Sequence, residues 1–258
     1  MRKIILPAII TSYLLTSCVS REKIAYYQNI EGTEIVNKKF ETKIKTDDLL
    51  MILVSAQDPI AVEPFNLTTN LSVDPSNQAG GGQRQQQLYL VDDKGYIDFP
   101  TLGKIEVANK TKDEIVNNLQ TKISKYVKNP IINLRIMNYK VTVQGEVKRP
   151  GTHKINSERI TLLEALALSG DLTNYGKRDN ILVLREENGE VTSHRVDLTK
   201  ADFINSDFYY LKQNDVVYVE PNKVAVNSSA VGPNISIYLS AFSLLLTTVA
   251  LILTNSNK

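Results

Sequence analysis

Cys18 is the only cysteine in a chain of 258 residues, and its position limits what its thiol can do. A single cysteine excludes an internal disulfide and any site built from several cysteine ligands. It directly follows Leu15-Thr16-Ser17. This pattern resembles a bacterial lipobox, in which the cysteine is acylated and becomes the new N-terminus. The competing reading is an ordinary signal peptide with an incidental cysteine. The other groups capable of chemistry are scattered. His153 and His194 belong to no metal-ligand spacing, and strand or surface positions suit both. Asp47-Asp48 and Asp92-Asp93 suggest the two carboxylates of glycan cleavage, but adjacent acids beside turns are usually solvated. Glu186-Glu187 stands at the tip of a hairpin marked by Asn188-Gly189. Gly80-Gly81-Gly82 lacks the Lys-Ser/Thr and the helix that complete a phosphate loop. No catalytic residue, metal site or cofactor is expected, and the chain does not read as an enzyme.

The elements around Cys18 set its compartment. Arg2 and Lys3 precede an apolar run from Ile4 to Leu15, too short to span a bilayer and suited to a signal-peptide core. Residues 1–17 are therefore expected to be removed, and 18–39 to form an N-terminal linker. The whole chain has 30 basic and 28 acidic residues; loss of Arg2 and Lys3 leaves 28 against 28. A neutral balance gives no footing to a nucleic-acid binder. Val19, in place of an aspartate after the cysteine, resembles the enterobacterial signal for an outer-membrane destination.

Between Lys223 and Lys258 no charged residue occurs, and residues 235–253 are strongly apolar. As a helix they would be roughly 28 Å long at ~1.5 Å per residue, enough just to cross a hydrocarbon core of about 30 Å. A transmembrane helix is expected there, with a buried core helix as the alternative. Ser236, Ser240, Ser243 and Thr247 recur at steps of four, three and four, which places small hydroxylated side chains on one stripe. Such a stripe lets helices approach closely, faces a water-filled lumen, or belongs to a simple anchor whose hydroxyls bond back to their own helix. A lumen requires several copies in a ring, because one helix encloses nothing.

About 200 residues lie between these ends, enough for two small domains. Leu49 to Val54 reads as a buried strand, 74–87 as a long loop, and Asp92-Asp93-Lys94-Gly95 as a turn between strands. The spacing predicts a helix over 111–127, opened by the capping box Thr111…Glu114 and ended by Asn129-Pro130. A strand follows over 131–136. A second unit begins at Tyr139, with a strand through Val141, Val143, Gly145 and Val147. A short helix behind a second capping box, Thr161…Glu164, is closed by Ser169-Gly170. A hairpin then surrounds Asn188-Gly189, and a last strand over 216–219 ends at Pro221.

Taken together, these residues resemble the Wza-type family of outer-membrane polysaccharide export lipoproteins. The export-domain likeness runs through Gly95-Tyr96-Ile97-Asp98-Phe99-Pro100-Thr101-Leu102-Gly103, the Thr111-capped helix and Asn129-Pro130. The second unit looks like the family's β-grasp domain, SLBB, through Val143-Gln144-Gly145-Glu146-Val147, Arg149-Pro150-Gly151, Thr161 to Leu166 and Ser169-Gly170. The fold class expected is α+β: an export domain over 40–138, an SLBB-like β-grasp domain over 139–221, and the helix over 235–253. The resemblance implies a ring-shaped homo-oligomer, octameric in the best-known members, that passes a capsular or exopolysaccharide through the outer membrane. It implies lipid at Cys18, soluble domains in the periplasm, and an inner-membrane co-polymerase, often linked to a tyrosine kinase, as partner. Two motifs depart from the family. Lys45-Thr46-Asp47-Asp48 keeps only the last residue of a Gly-x-Gly-Asp turn, and Gly170-Asp171 replaces a pair of glycines. The alternative function is a lipid-anchored β-grasp module that binds a glycan or partner and forms no pore.

Overall fold

The computed structural model describes residues 21–36, 40–70, 84–187, 189–230 and 235–255. Cys18, the Gly80–Gly82 run and Asn188 lie outside the described residues.

The first domain is built on β1 (Leu49–Ser55), which runs between β4 (Tyr89–Leu90) and β7 (Ile131–Ile136) in an antiparallel sheet. Along the chain it is joined by α1 (Pro59–Val62), a small ladder of β2 (Thr68–Asn70) with β3 (Arg84–Gln86), a hairpin of β5 (Tyr96–Phe99) with β6 (Gly103–Glu106), and α2 (Lys112–Ile123). Leu50, Ile52 and Val54 point inward, and α2 meets them with Ile115, Leu119 and Ile123; all six are buried. The continuous apolar run of β1 suggests burial on both faces, yet Leu53 is 43% exposed. An antiparallel sheet covered on one side only leaves its other face to solvent.

Two expected elements are shorter or different. The helix predicted over 111–127 ends at Ile123, because the Ser124 hydroxyl bonds back to Gln120 O and the backbone tightens toward Asn129, which takes φ 50° ahead of Pro130. Val127 still reaches the core from the turn that follows. Part of the loop expected over 74–87 is strand: Arg84, Gln85 and Gln86 pair with Asn70, Thr69 and Thr68. A ladder of backbone bonds needs no apolar alternation, so periodicity could not reveal it.

The second domain is a five-stranded sheet in the order β12-β11-β14-β8-β9, formed by β8 (Lys140–Gly145), β9 (Gly151–Lys154), β11 (Gly176–Glu187), β12 (Glu190–Val196) and β14 (Val216–Pro221). Only β14 and β8 are parallel. Between β9 and β11 come β10 (Ile160–Thr161) and α3 (Leu162–Leu168); β10 pairs with β13 (Tyr210–Leu211). Leu162, Ala165 and Leu166 of α3 close over Val141, Val143, Ile181, Val183, Val217 and Val219. Both capping boxes form, with each threonine hydroxyl accepting from the amide of the glutamate three residues on. The architecture is α+β, with α2 packed on the first sheet and α3 on the second.

The chain ends in α4 (Lys223–Ala230) and α5 (Ile235–Asn255). Every described side chain of α5 is exposed. Among the described residues no helix is long and apolar enough to cross a membrane. The side chains described in α5 run from Ser236 to Ile252, about 25 Å of helix against a hydrocarbon core of ~30 Å. The transmembrane helix expected over 235–253 is not supported at that level, although a helix does form there.

Candidate functional site

The hydroxyl stripe is present on α5. Ser236, Ser240, Ser243 and Thr247 are all exposed. The Ser240 hydroxyl donates to Ser236 O at 2.7 Å, and that of Thr247 donates to Leu244 O at 2.8 Å and Ser243 O at 3.1 Å. Bonding back to the preceding turn satisfies these groups without a partner. Leu239, Phe242, Leu244, Leu245, Leu246, Leu251 and Ile252 are each more than half exposed. This is a large contiguous apolar surface that water alone does not stabilise.

The segment expected as a linker over 18–39 has its described part, 21–36, along the second domain. Tyr27 N donates to Leu198 O, Gln28 N to Thr199 O, and Ala201 N back to Gln28 O. The Tyr26 hydroxyl donates to Asp171 Oδ1 at 2.7 Å beneath the Arg178 guanidinium, and the Tyr27 ring stacks on Phe203 at 5.5 Å. Burial, together with the neighbouring Asp171 carboxylate, pushes the Tyr26 phenol well above its usual range. The turn Arg21–Lys23 touches β11, and Gly176 at the start of that strand pairs with Pro221, where the chain leaves for α4. The Arg21–Lys23 turn and α4 therefore both touch the sheet of the second domain, the first at β11 and the second at β14.

The two domains are hooked together at Asn138. Its carbonyl oxygen Oδ1 accepts from Leu49 N, its amide donates to Asp47 O, and its backbone oxygen accepts from the buried Gln213 side chain. Beside this joint lies a cleft of about 880 Å³ whose walls come from both domains, among them Phe40, Ile44, Arg135, Tyr139, Lys154 and Arg159.

Several groups that invited a catalytic reading make contacts within the fold. His153 Nε2 and the buried Ser169 hydroxyl are 2.7 Å apart, and His194 stacks on Phe208 with ring centroids 4.4 Å apart. Asp92 Oδ1 accepts from Lys94 N and Tyr96 N, which shapes the turn. Glu187 pairs with Lys212. Among the described residues no group of three or more His, Cys, Asp or Glu could hold a metal ion.

A family model described as polysaccharide biosynthesis/export protein matches residues 37–137, and one described as the SLBB domain matches residues 139–219. Across both domains and in their order, residues 37–219 are therefore similar to Wza-type polysaccharide export proteins. It is 28% identical over 213 residues to the EPS I polysaccharide export outer membrane protein EpsA of Ralstonia solanacearum, covering 80% of this chain and 56% of that protein. A relative of the same name from Ralstonia nicotianae is 28% identical over 216 residues, 81% of this chain and 56% of its own length. The chain spans a little over half the length of the curated relatives it matches.

The export-family motifs have physical explanations here. Asp47, where the usual turn has glycine, adopts φ 69°, a conformation that aspartate tolerates better than most residues. Asp48, which the motif retains, is 1% exposed and accepts from Lys45 N at 2.8 Å. Burial pushes its carboxyl up from 3.8 to about 6, against the opposing pull of the Lys45 amide and charge. Since the fold raises this value, the native state binds the proton more tightly than the unfolded chain. The stability contributed is complete below about pH 4 and is lost as pH rises through about 6. At ~1.4 kcal/mol per pH unit, this is on the order of 3 kcal/mol. Denaturant midpoints measured from pH 4 to 7 are expected to fall less steeply in Asp48→Asn than in the native protein. Equal slopes would remove Asp48 as the cause.

The second departure is also explained. Asp171 takes φ 66° in place of a glycine, and its carboxylate receives the Tyr26 hydroxyl. A side chain that the family's usual glycine lacks therefore fastens the N-terminal segment. Nothing in the sequence near Tyr26 signals this contact, which spans 145 positions.

Proposed function

We propose that this chain is a subunit of a ring-shaped outer-membrane channel that exports a capsular or exopolysaccharide. The single observation that carries this reading is the two-domain export and SLBB body followed by α5, a helix whose described apolar side chains are exposed. Copies of α5, with lipid around them, would cover these side chains. A described apolar length slightly below the bilayer thickness is accommodated when helices oligomerise or the bilayer thins. The charge-free run between Lys223 and Lys258 supports insertion, and helices satisfy their own backbone bonds in lipid. Energy would come from glycan synthesis or from an inner-membrane co-polymerase, with no hydrolysis in this chain.

In the same reading Cys18 carries the lipid, and the mature protein sits in the outer membrane with its domains in the periplasm. Cys18 precedes Arg21 by three residues, about 10 Å of extended chain. The anchor would therefore hold the second domain close to the membrane. Cys18→Ser is expected to abolish acyl labelling and to mislocalise the protein. Normal labelling and targeting would remove the lipid-anchor assignment.

Substituting leucine at Ser240 and Ser243 tests the channel. Added bulk on this stripe would fill a close helix contact or narrow a lumen, so assembly or export should fall severalfold. The internal hydroxyl bonds of Ser240 and Thr247 favour the other reading, an anchored accessory protein without a pore. An unchanged oligomer with unchanged export would leave that reading in place.

A further inference from the structure

We infer that the cleft between the two domains binds a segment of an acidic saccharide, an assignment that rests on the export reading and names a place where glycan touches the body of the protein. The cleft is about 880 Å³, within the usual range for small-molecule sites. Its floor is apolar: Ile44, Tyr139 and Ile155 are 1, 3 and 5% exposed. The Tyr139 hydroxyl is committed to Leu211 O at 2.6 Å, so this residue offers the cleft a ring and no free polar group. Phe40 packs on Tyr210 at 4.8 Å, and the Arg159 guanidinium lies over the same tyrosine ring at 5.2 Å. Aromatic and aliphatic surface of this kind suits the C–H faces of sugar rings.

The rim selects the charge. Arg135 and Lys154 line the cleft, both are exposed, and neither makes an ion pair among the described residues. Arg159 adds a third cation. Lys112 and Glu158 neutralise one another. The remaining rim acids are Glu41 and Asp113, and Asp113 sits in the first turn of α2, where the helix dipole offsets its charge. A neutral saccharide would leave Arg135 and Lys154 with water only. A uronate carboxylate would give them charge-assisted hydrogen bonds, which are the strong kind. Placement on a solvent-open rim keeps the contact salt-sensitive and reversible, as a moving polymer requires.

The test uses the full-length protein in mild detergent and three hexasaccharide probes: alternating glucuronate and N-acetylglucosamine, galacturonate, and neutral maltose units. Calorimetry should show saturable binding of at least one acidic probe. The neutral probe should bind at least about tenfold more weakly, and Arg135→Ala with Lys154→Ala should weaken the acidic probe by about tenfold or more. High salt should reduce the same affinity. Thermal melts of the double variant control for folding, which exposed positions tolerate. Saturation by neither acidic probe, equal affinity for the neutral probe, or an unaffected double variant would each overturn the assignment. Particle mass is recorded on the same samples. A ring that binds no acidic probe overturns the cleft alone, whereas a monomer that binds one keeps the cleft and overturns the channel.

Discussion

Gly145→Ala is expected to unfold the second domain while Gly151→Ala leaves it intact. Gly145 sits at the end of β8 with φ 88°, paired with Val219 of β14 in the only parallel contact of the sheet. A methyl group there would lie 2.1 Å from the Val219 carbonyl oxygen and 3.0 Å from its carbon. That oxygen also receives the Glu146 amide at 3.0 Å, so it cannot retreat without breaking a bond. Two penalties therefore add. Left-handed backbone strain for a residue with a side chain costs about 1–3 kcal/mol, and separating β8 from β14 opens the core formed by Val141, Val143, Val217 and Val219. The sum is expected to exceed about 4 kcal/mol, the range reserved for outright structural conflicts. Gly151 offers the contrast, with no positive φ and nothing within 4 Å of an added methyl group. Circular dichroism melts of both variants decide the point; equal melts would contradict this role for Gly145.

Asp215→Asn is expected to produce the second large loss. Arg185 and Asp215 are 3% and 0% exposed at their side chains and form a forked ion pair, with Nη2 2.7 Å from Oδ2 and Nε 3.0 Å from Oδ1. The guanidinium also donates to Asp207 O and Tyr210 O, lies over the Phe208 ring at 4.5 Å, and thereby fastens the β13 region to β11. Asp215 Oδ2 in turn accepts from Lys212 N. Removing one charge strands the other where water cannot reach it, which typically costs about 3–5 kcal/mol. A melting temperature lower by roughly 10 °C or more should result. The double variant Arg185→Met with Asp215→Leu should recover part of this loss, because no buried charge then lacks a partner. A double variant no better than the single one would show that the carbonyl contacts of Arg185 matter more than the pair.

Local chemistry was legible in the sequence where it closes on itself within a few residues. Thr111…Glu114 and Thr161…Glu164 are capping boxes in the structure because each is complete within one helical turn. The hairpin of β11 with β12 and the strand at Val216 follow from alternation and turn residues for the same reason. Features made by distant residues were hidden. The contact of Tyr26 with Asp171 and the stacking of Tyr27 on Phe203 turn a presumed linker into a packed strap, with no periodic pattern to announce it. The cleft beside Asn138 exists only because two domains meet. Asp48 reads as a turn acid in sequence, and only the packing around it makes it a buried one. For α5 the stripe was legible because Ser236, Ser240, Ser243 and Thr247 recur at helical spacing.

The mass and shape of the full-length protein in mild detergent, from light scattering with electron-microscope class averages, test the channel most directly. A closed ring of several subunits around a central cavity is the expected result, with the ring lost or altered when Ser240 and Ser243 become leucine. A uniform monomer, stable across detergents, would contradict the channel and leave an anchored accessory protein.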